Sequence, residues 1–421
     1  MKTDVLLTPK KARKLILNAK EGVVRIPSEV KFIAGDAFRF ETGIRRVFLP
    51  KNLETIGEYA FDGCSNLEEI YIPDGVKSIA INSFMDCSSL KTIRIPSSVE
   101  YLGQGAFLDC KSLEDVEILC NIEISHRVFK RCTSLRNLSI PEGVQNIAVE
   151  AFAECTALKN VELPSSIKSI GIEAFAGCYS LEVINLCDTQ ITTLYSNTFS
   201  CCSSLEEVVI PRTVKSIGVG AFQHCIGLKS VSIPPRITAI PPSCFEDCHL
   251  LRRVRLPCGI TSIMKNAFRN CASLKNITIP QHVVSIEESA FANCSSLKNL
   301  VIPKGVKSVE NDTFRGCANL EKVTFEGKIT YIGPYAFDGC FELTKMDIPS
   351  SVRSIGSRAF SGCVKLESIV IPENIKSIGE SAFGFCKEGT LQISKETALR
   401  LLGTHIGSKP KIVDIVDHVI A

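Results

Sequence analysis

The chain has 421 residues and a formal net charge of +3, with 22% of residues charged. That balance argues against binding of polyanions by bulk charge, and no stretch approaches the roughly 18 consecutive apolar residues of a membrane span. Its twenty cysteines would ordinarily signal disulfides or metal, so their placement needs a reason.

Taken in chain order, Thr8-Pro9 followed by Lys10 to Ala19 predicts a short helix with Thr8 as N-cap and Pro9 in the first turn. Its Lys10, Lys11, Arg13 and Lys14 form a run too short for a nucleic-acid patch and read as the solvated face of a capping helix. Residues 1–20 are therefore expected to form an N-terminal cap. The start lacks the apolar core and small-residue cleavage site of a secretory leader, so the expectation from sequence alone is a cytoplasmic chain.

From there a phenylalanine recurs sixteen times, from Phe38, Phe61 and Phe84 to Phe337, Phe360 and Phe383. The step is 23 residues, except for 22 between Phe107 and Phe129 and 24 between Phe175 and Phe199. A fixed period of this length is the mark of a solenoid, propeller or array. In residues 53 to 73 the apolar positions are Leu53, Ile56, Ala60, Phe61, Cys64, Leu67, Ile70 and Ile72, closed by Pro73. The alternation through Leu67, Ile70 and Ile72 predicts a half-buried strand. Proline lacks an amide proton and belongs at a strand's end, as at Pro27, Pro50, Pro96, Pro141, Pro257 and Pro303. The Ala-Phe-x-x-Cys segment is too short for a helix and predicts a tight turn or 3₁₀ piece. One such coil cannot bury enough apolar surface to fold alone, so stability has to come from stacking. Sixteen strands about 4.8 Å apart would form a parallel sheet roughly 75 Å along its curve.

Leu366 to Pro372, with Ile375, Ile378, Gly379, Ala382, Phe383 and Cys386, resembles the leucine-rich repeat, and more narrowly its BspA-like (treponemal) class. The pattern returns sixteen times over residues 21–386. The resemblance implies a leucine-rich-repeat solenoid, a right-handed superhelix of about 16 repeats of 23 residues. It would be β-dominated, with a parallel sheet on the concave face and short turns or 3₁₀ pieces on the convex side. It further implies a non-catalytic, ligand-binding or adhesion-type protein, secreted or at the cell surface, that binds on the concave face. The usual leucine-rich pattern has asparagine after the strand. Here that turn holds Gly75, Ser98 or Gly305, so no asparagine ladder is expected.

Fifteen cysteines, from Cys64 through Cys386, occupy one position of the repeat. Stacked equivalents would lie about 4.8 Å apart, beyond the roughly 3.5–4.5 Å between Cβ atoms that a disulfide prefers. They are expected to form a ladder of buried thiols. His224, Cys225, Cys244, Cys248, His249 and Cys271 come near one another in the repeat and make zinc conceivable. The ladder already accounts for three of them, and ligands at matched spacing are missing. No phosphate loop, zinc-protease helix or nucleophile elbow occurs. No metal, cofactor or catalytic residue is expected.

Binding candidates come from the outward columns. Two residues before the first strand isoleucine, Arg45, Glu68, Lys91 and Glu114 alternate in sign, but Lys229, Arg252, Lys275 and Lys298 do not. Arg253 and Arg255 add two cations on the outward side of one strand, and like charges on neighbouring strands are destabilising. The same region doubles its prolines at Pro234-Pro235 and Pro241-Pro242. The ligand-binding expectation is therefore Lys229, Arg252, Arg253, Arg255, Lys275 and Lys298, facing an anionic partner. The alternative is a set of solvated charges screened by salt.

A second candidate is the pair of period slips at Leu119 to Phe129 and Cys187 to Phe199. These either re-aim strands near Asn185 and Tyr195 or are drift tolerated by loops. Beyond residue 386, Ser394 to Leu402 predicts a helix and Ile412 to Ile420 a strand or helix, so residues 387–421 are expected to cap the last coil. The functional expectation is a monomeric binding protein for a protein or anionic glycan, without specific nucleic-acid binding. The alternative is an intracellular scaffold for a cytosolic protein.

Overall fold

The computed structural model describes residues 5–386, 391–394, 396–397 and 401. It divides into two compact units, residues 1–216 and 217–421, and each holds eight of the recurrent phenylalanines. Both units are parallel β-solenoids with successive coils about 23 residues apart. An α-helix, Pro9–Leu17, lies near the start of the first unit, and its N-cap Thr8 accepts from the Lys11 amide. Most of the expected C-terminal helix over Ser394 to Leu402, and all of Ile412 to Ile420, lies outside the described residues.

Most coils contribute to two parallel ladders, one more than the sequence pattern predicts. The first ladder is the expected one. In the first unit it includes Val23–Arg25, Arg46–Phe48 and Glu69–Ile70, and in the second unit Ser230–Ser232 beside Arg253–Arg255. The second ladder is built from two-residue strands such as Thr55–Ile56, Ser78–Ile79 and Tyr101–Leu102. In the second unit these are Tyr331–Ile332, Ser354–Ile355 and Ser377–Ile378. With two residues per strand there is no alternation to read, and pairing between coils makes the strand.

Proline ends the first ladder as its missing amide requires, and two of the three exceptions bear this out; at the third, the Cys187 amide turns to Asn185 Oδ1 and the strand Val183–Ile184 stays short. Where Leu119 and Glu326 replace it, their amides donate to Ile95 O at 2.9 Å and Ile302 O at 3.0 Å. The strands at those places reach four residues, Thr92–Ile95 beside Asp115–Ile118 and Asn299–Ile302 beside Lys322–Phe325. In the turn after the proline, serine takes the role for which asparagine is absent. Ser98 and Ser166 donate to Val76 O and Val144 O, each at 2.7 Å.

The Ala-Phe-x-x-Cys segment is a turn whose amides alternate between two kinds of acceptor. Tyr59, Phe61 and Gly63 donate to Ile81, Ser83 and Met85 in the next coil, at 3.0, 2.7 and 2.8 Å. Ala60, Asp62 and Cys64 donate three residues back within the turn. This alternation needs left-handed residues, and φ is +55° at Tyr59 and +69° at Gly63. All backbone donors of the segment are thus satisfied, which makes a non-helical turn tolerable in a buried place.

The core is a set of stacks. Rings from Phe38 to Phe199 in the first unit lie 5.0–5.8 Å centroid to centroid and nearly parallel. Those from Phe222 to Phe383 in the second are 5.3–5.7 Å apart. The cysteines stand beside them as free thiols.

Candidate binding surface

In the second unit, strand Arg253–Arg255 pairs in register with Ser230–Ser232, so Ser230 faces Arg253 and Ser232 faces Arg255. Val254 turns inward between the two arginines, which stay exposed. The next coil offers Asn276 and Thr278, both exposed, around the buried Ile277. No ladder hydrogen bond joins Asn276–Thr278 to Arg253–Arg255 among the described residues, and the sheet ends at Arg253–Arg255 on that side. A groove of about 390 Å³ lies across these three rungs, lined by Ser230, Ser232, Arg253, Arg255, Asn276 and Thr278 with the flanking valines. It contains two guanidinium groups, short polar side chains and no carboxylate.

The six cations expected to bind are not equivalent. Arg252, Arg253, Arg255 and Lys275 are exposed and have no ion pair among the described residues. Lys298 reaches Glu321 Oε1 at 3.2 Å, continuing the alternation seen in the first unit, where Arg45 meets Glu68 at 2.7 Å. Lys229 is half-buried and has a partner. The cations with no such partner therefore cluster on one rung, with Lys275 on the next.

Four of the conceivable zinc ligands are otherwise engaged. His224 Nδ1 lies 3.1 Å from Asp247 Oδ2, and His249 Nδ1 lies 2.9 Å from Asn270 O. Cys248 and Cys271 donate their thiols to Phe222 O and Phe245 O, each at 3.2 Å, and burial pushes both thiols well up. No group of three metal-ligating side chains occurs among the described residues.

Three further surfaces stand out, the first two at the period slips. The 22-residue step opens a groove of about 600 Å³ in the first unit, lined by Asp115, Glu117, Asn137, Ser139, Asn160 and Glu162 among others. Its polar groups largely close on one another: Arg94 with Glu117 at 3.3 Å, Ser139 with Glu162 and Asn160 with Asn137 at 3.2 Å. Its sequence signals are the short step from Phe107 to Phe129 and the missing proline at Leu119. On the second ladder Tyr195 shares a groove of about 290 Å³ with Glu123 and His126, so residues of both period-breaking coils meet there. Asn185 instead forms a local turn, accepting from the Cys187 amide at 2.9 Å. Lastly, Phe48 and Tyr71 are exposed on adjacent rungs of the first-strand face, with Arg25 4.1 Å above the Phe48 ring and Arg94 beside Tyr71.

Two parallel ladders, stacked phenylalanines and a strand face rich in charge define a leucine-rich-repeat solenoid. The chain matches the BspA type leucine-rich repeat region over residues 20–132, 122–252 and 261–390, and it belongs to that family. A leucine-rich repeat protein from Bacteroides ovatus is similar at 29% identity over 88% of this chain and 91% of that one, with a TM-score of 0.59. A leucine-rich cell surface protein from Faecalibacterium prausnitzii is 26% identical over 72% of this chain and 79% of its own, with a TM-score of 0.42. A leucine-rich repeat protein from T. pallidum is 30% identical over 50% of this chain and 79% of its own, with a TM-score of 0.31. No curated protein matches the chain. Proteins of this repeat class are generally protein-interaction scaffolds, typically without enzymatic activity. No described helix is long and apolar enough to cross a membrane.

Proposed function

We propose that the protein is a non-catalytic binding protein that takes an anionic protein or glycan partner on the first-strand face of its second unit. Of the six expected cations, Arg252, Arg253, Arg255 and Lys275 make the contact, while Lys229 has a partner and Lys298 is held by Glu321. The observation that carries this reading is the carboxylate-free groove around Arg253 and Arg255. Other cations of the face sit against carboxylates, as Arg45 does with Glu68 and Lys159 with Glu182, and these need no ligand. Arg252 and Lys275 put like charges on neighbouring rungs, a local cost that a bound anion would remove.

The test is charge reversal. Wild type and the Arg252→Glu, Arg253→Glu, Arg255→Glu variant are immobilised and challenged with polyglutamate and with a sulfated polysaccharide at 0.05 and 0.5 M salt. Retention by wild type at low salt, lost in the variant with an unchanged melting curve, supports the site. Equal retention by both ends it.

A second reading, an intracellular scaffold for a cytosolic protein, is favoured by the cysteines. All twenty are free, and thiols stay reduced most readily inside cells. Fractionation of the native host for the endogenous protein separates this from a surface adhesin.

A further inference from the structure

Building on that reading of the patch, we infer that the groove at Arg253 and Arg255 recognises an extended acidic polypeptide segment with carboxylates on alternate residues, lying along the strand. The first reason is how the cations are distributed. A partner running across the rungs, as a long polyanion would, needs cations on successive rungs. Within the groove, the rungs on either side of the arginines carry only Ser230 and Ser232, and Asn276 and Thr278. At the strand entrance the column of basic residues is shortened at both ends, because Lys229 is engaged and Lys298 is paired to Glu321. What remains is Arg252, Arg253 and Arg255 in line along one strand, with Lys275 beside them. A ligand aligned with the strand meets more of these charges than one aligned with the ladder.

The second reason is spacing. Arg253 and Arg255 project from the same side of a strand two residues apart, about 6.6–6.8 Å along the backbone. An extended peptide repeats its side chains on one face with the same two-residue period. Glutamates or aspartates at positions i and i+2 of such a segment therefore face the two guanidinium groups together, and each pair can form two parallel hydrogen bonds. Carboxylates on adjacent residues would point to opposite sides, and only one would reach an arginine. The short flanking side chains leave room on both sides, and the hydroxyls of Ser230, Ser232 and Thr278 and the amide of Asn276 can hydrogen-bond peptide backbone groups.

The experiment uses the full chain and four defined probes: a capped peptide with alternating Glu and Ser, its isomer with the same residues as repeated Glu-Glu-Ser-Ser, in which no two Glu stand two residues apart, a heparin-type sulfated polysaccharide, and inorganic phosphate. Binding is measured by calorimetry at 0.05 M salt on wild type and on Arg253→Gln/Arg255→Gln, whose fold is checked by its circular dichroism melt. Exposed ion pairs contribute up to about 1 kcal/mol each, so the expected preference for the alternating peptide over its isomer is about fivefold. That preference should vanish in the double variant. Equal affinity for the two isomers, or binding of the polysaccharide or phosphate without the alternating peptide, overturns the peptide inference while leaving the anion-binding patch standing. Silence of all four probes overturns both.

Discussion

The thiol of Cys155 donates to the carbonyl oxygen of Phe129 in the preceding coil at 3.1 Å. The bond recurs through both units, from Cys64 to Phe38 at 3.0 Å and from Cys363 to Phe337 at 3.3 Å. Burial pushes the thiols of Cys64, Cys155 and Cys317 up to about 12, and that of Cys386 to about 11. In an unfolded chain a thiol loses its proton near pH 8.5. Between that value and the folded one, the unfolded state binds fewer protons, so stability falls as pH rises. Each ladder thiol then removes up to about 1.4 kcal/mol per pH unit. Under reducing conditions the urea midpoint should drop steeply from pH 8.5 to 11, while these thiols contribute no pH dependence below about pH 8. Replacing Cys110, Cys132 and Cys155 with Ala should lessen the slope by up to about 4 kcal/mol per pH unit. A midpoint that holds through pH 10, or an unaltered slope in the triple variant, would rule this out.

The same burial separates the cysteines by reactivity. Cys187 and Cys258 are exposed and Cys201 partly so, while the ladder is buried apart from the half-buried Cys386. Only the thiolate attacks, and a buried thiol held protonated offers almost none. Iodoacetamide at pH 7.5 followed by peptide mapping should label Cys187 and Cys258 first, and should reach the ladder only after denaturation. Early labelling of Cys110 or Cys294 would mean that the coils open locally.

Position in the stack sets the cost of losing a phenylalanine. Phe245 is fully buried between Phe222 at 5.6 Å and Phe268 at 5.5 Å. Phe383 is half-buried and has one stacked neighbour among the described residues, Phe360 at 5.4 Å. Phe245→Ala should cost about 3–5 kcal/mol, the usual figure for a buried ring. Phe383→Ala should cost roughly half as much, because less burial and one fewer ring contact are lost. Chemical denaturation of both variants checks the ratio, and equal losses would show that the stack does not transmit its packing rung to rung.

The repeat was legible because every coil solves the same packing problem, so Phe61 and Cys64 announce their places sixteen and fifteen times over. The second ladder was not, since strands as short as Ser78–Ile79 carry no periodicity and exist only through the next coil. The candidate site was half legible. Arg253 and Arg255 could be placed on one outward face from the alternation around Val254. The pairing of Lys298 with Glu321 depends on side-chain reach between rungs, and the gap before Asn276–Thr278 on backbone hydrogen bonding, neither of which a sequence states. The groove at Asp115 and Glu162 arises from one missing residue, whose effect on spacing is visible only in three dimensions.

That uneven legibility yields a final prediction, about Lys298. It belongs to the basic column by sequence, yet Glu321 holds it at 3.2 Å. It also stands two rungs from Arg252, about 9.6 Å at the usual strand spacing, which exceeds the screening length of about 8 Å at physiological salt. Its field at Arg253 and Arg255 is thus both neutralised and screened. At 0.15 M salt, Lys298→Ala should leave the affinity for the alternating acidic peptide within about 1.5-fold of wild type, because screened surface charges contribute little. Arg253→Ala should weaken it about fivefold. Glu321→Gln frees Lys298, but should raise the affinity measurably only near 0.01 M salt, where the screening length grows to about 30 Å. If Lys298→Ala instead costs as much as Arg253→Ala at 0.15 M salt, the partner spans several rungs and the single-rung geometry is wrong.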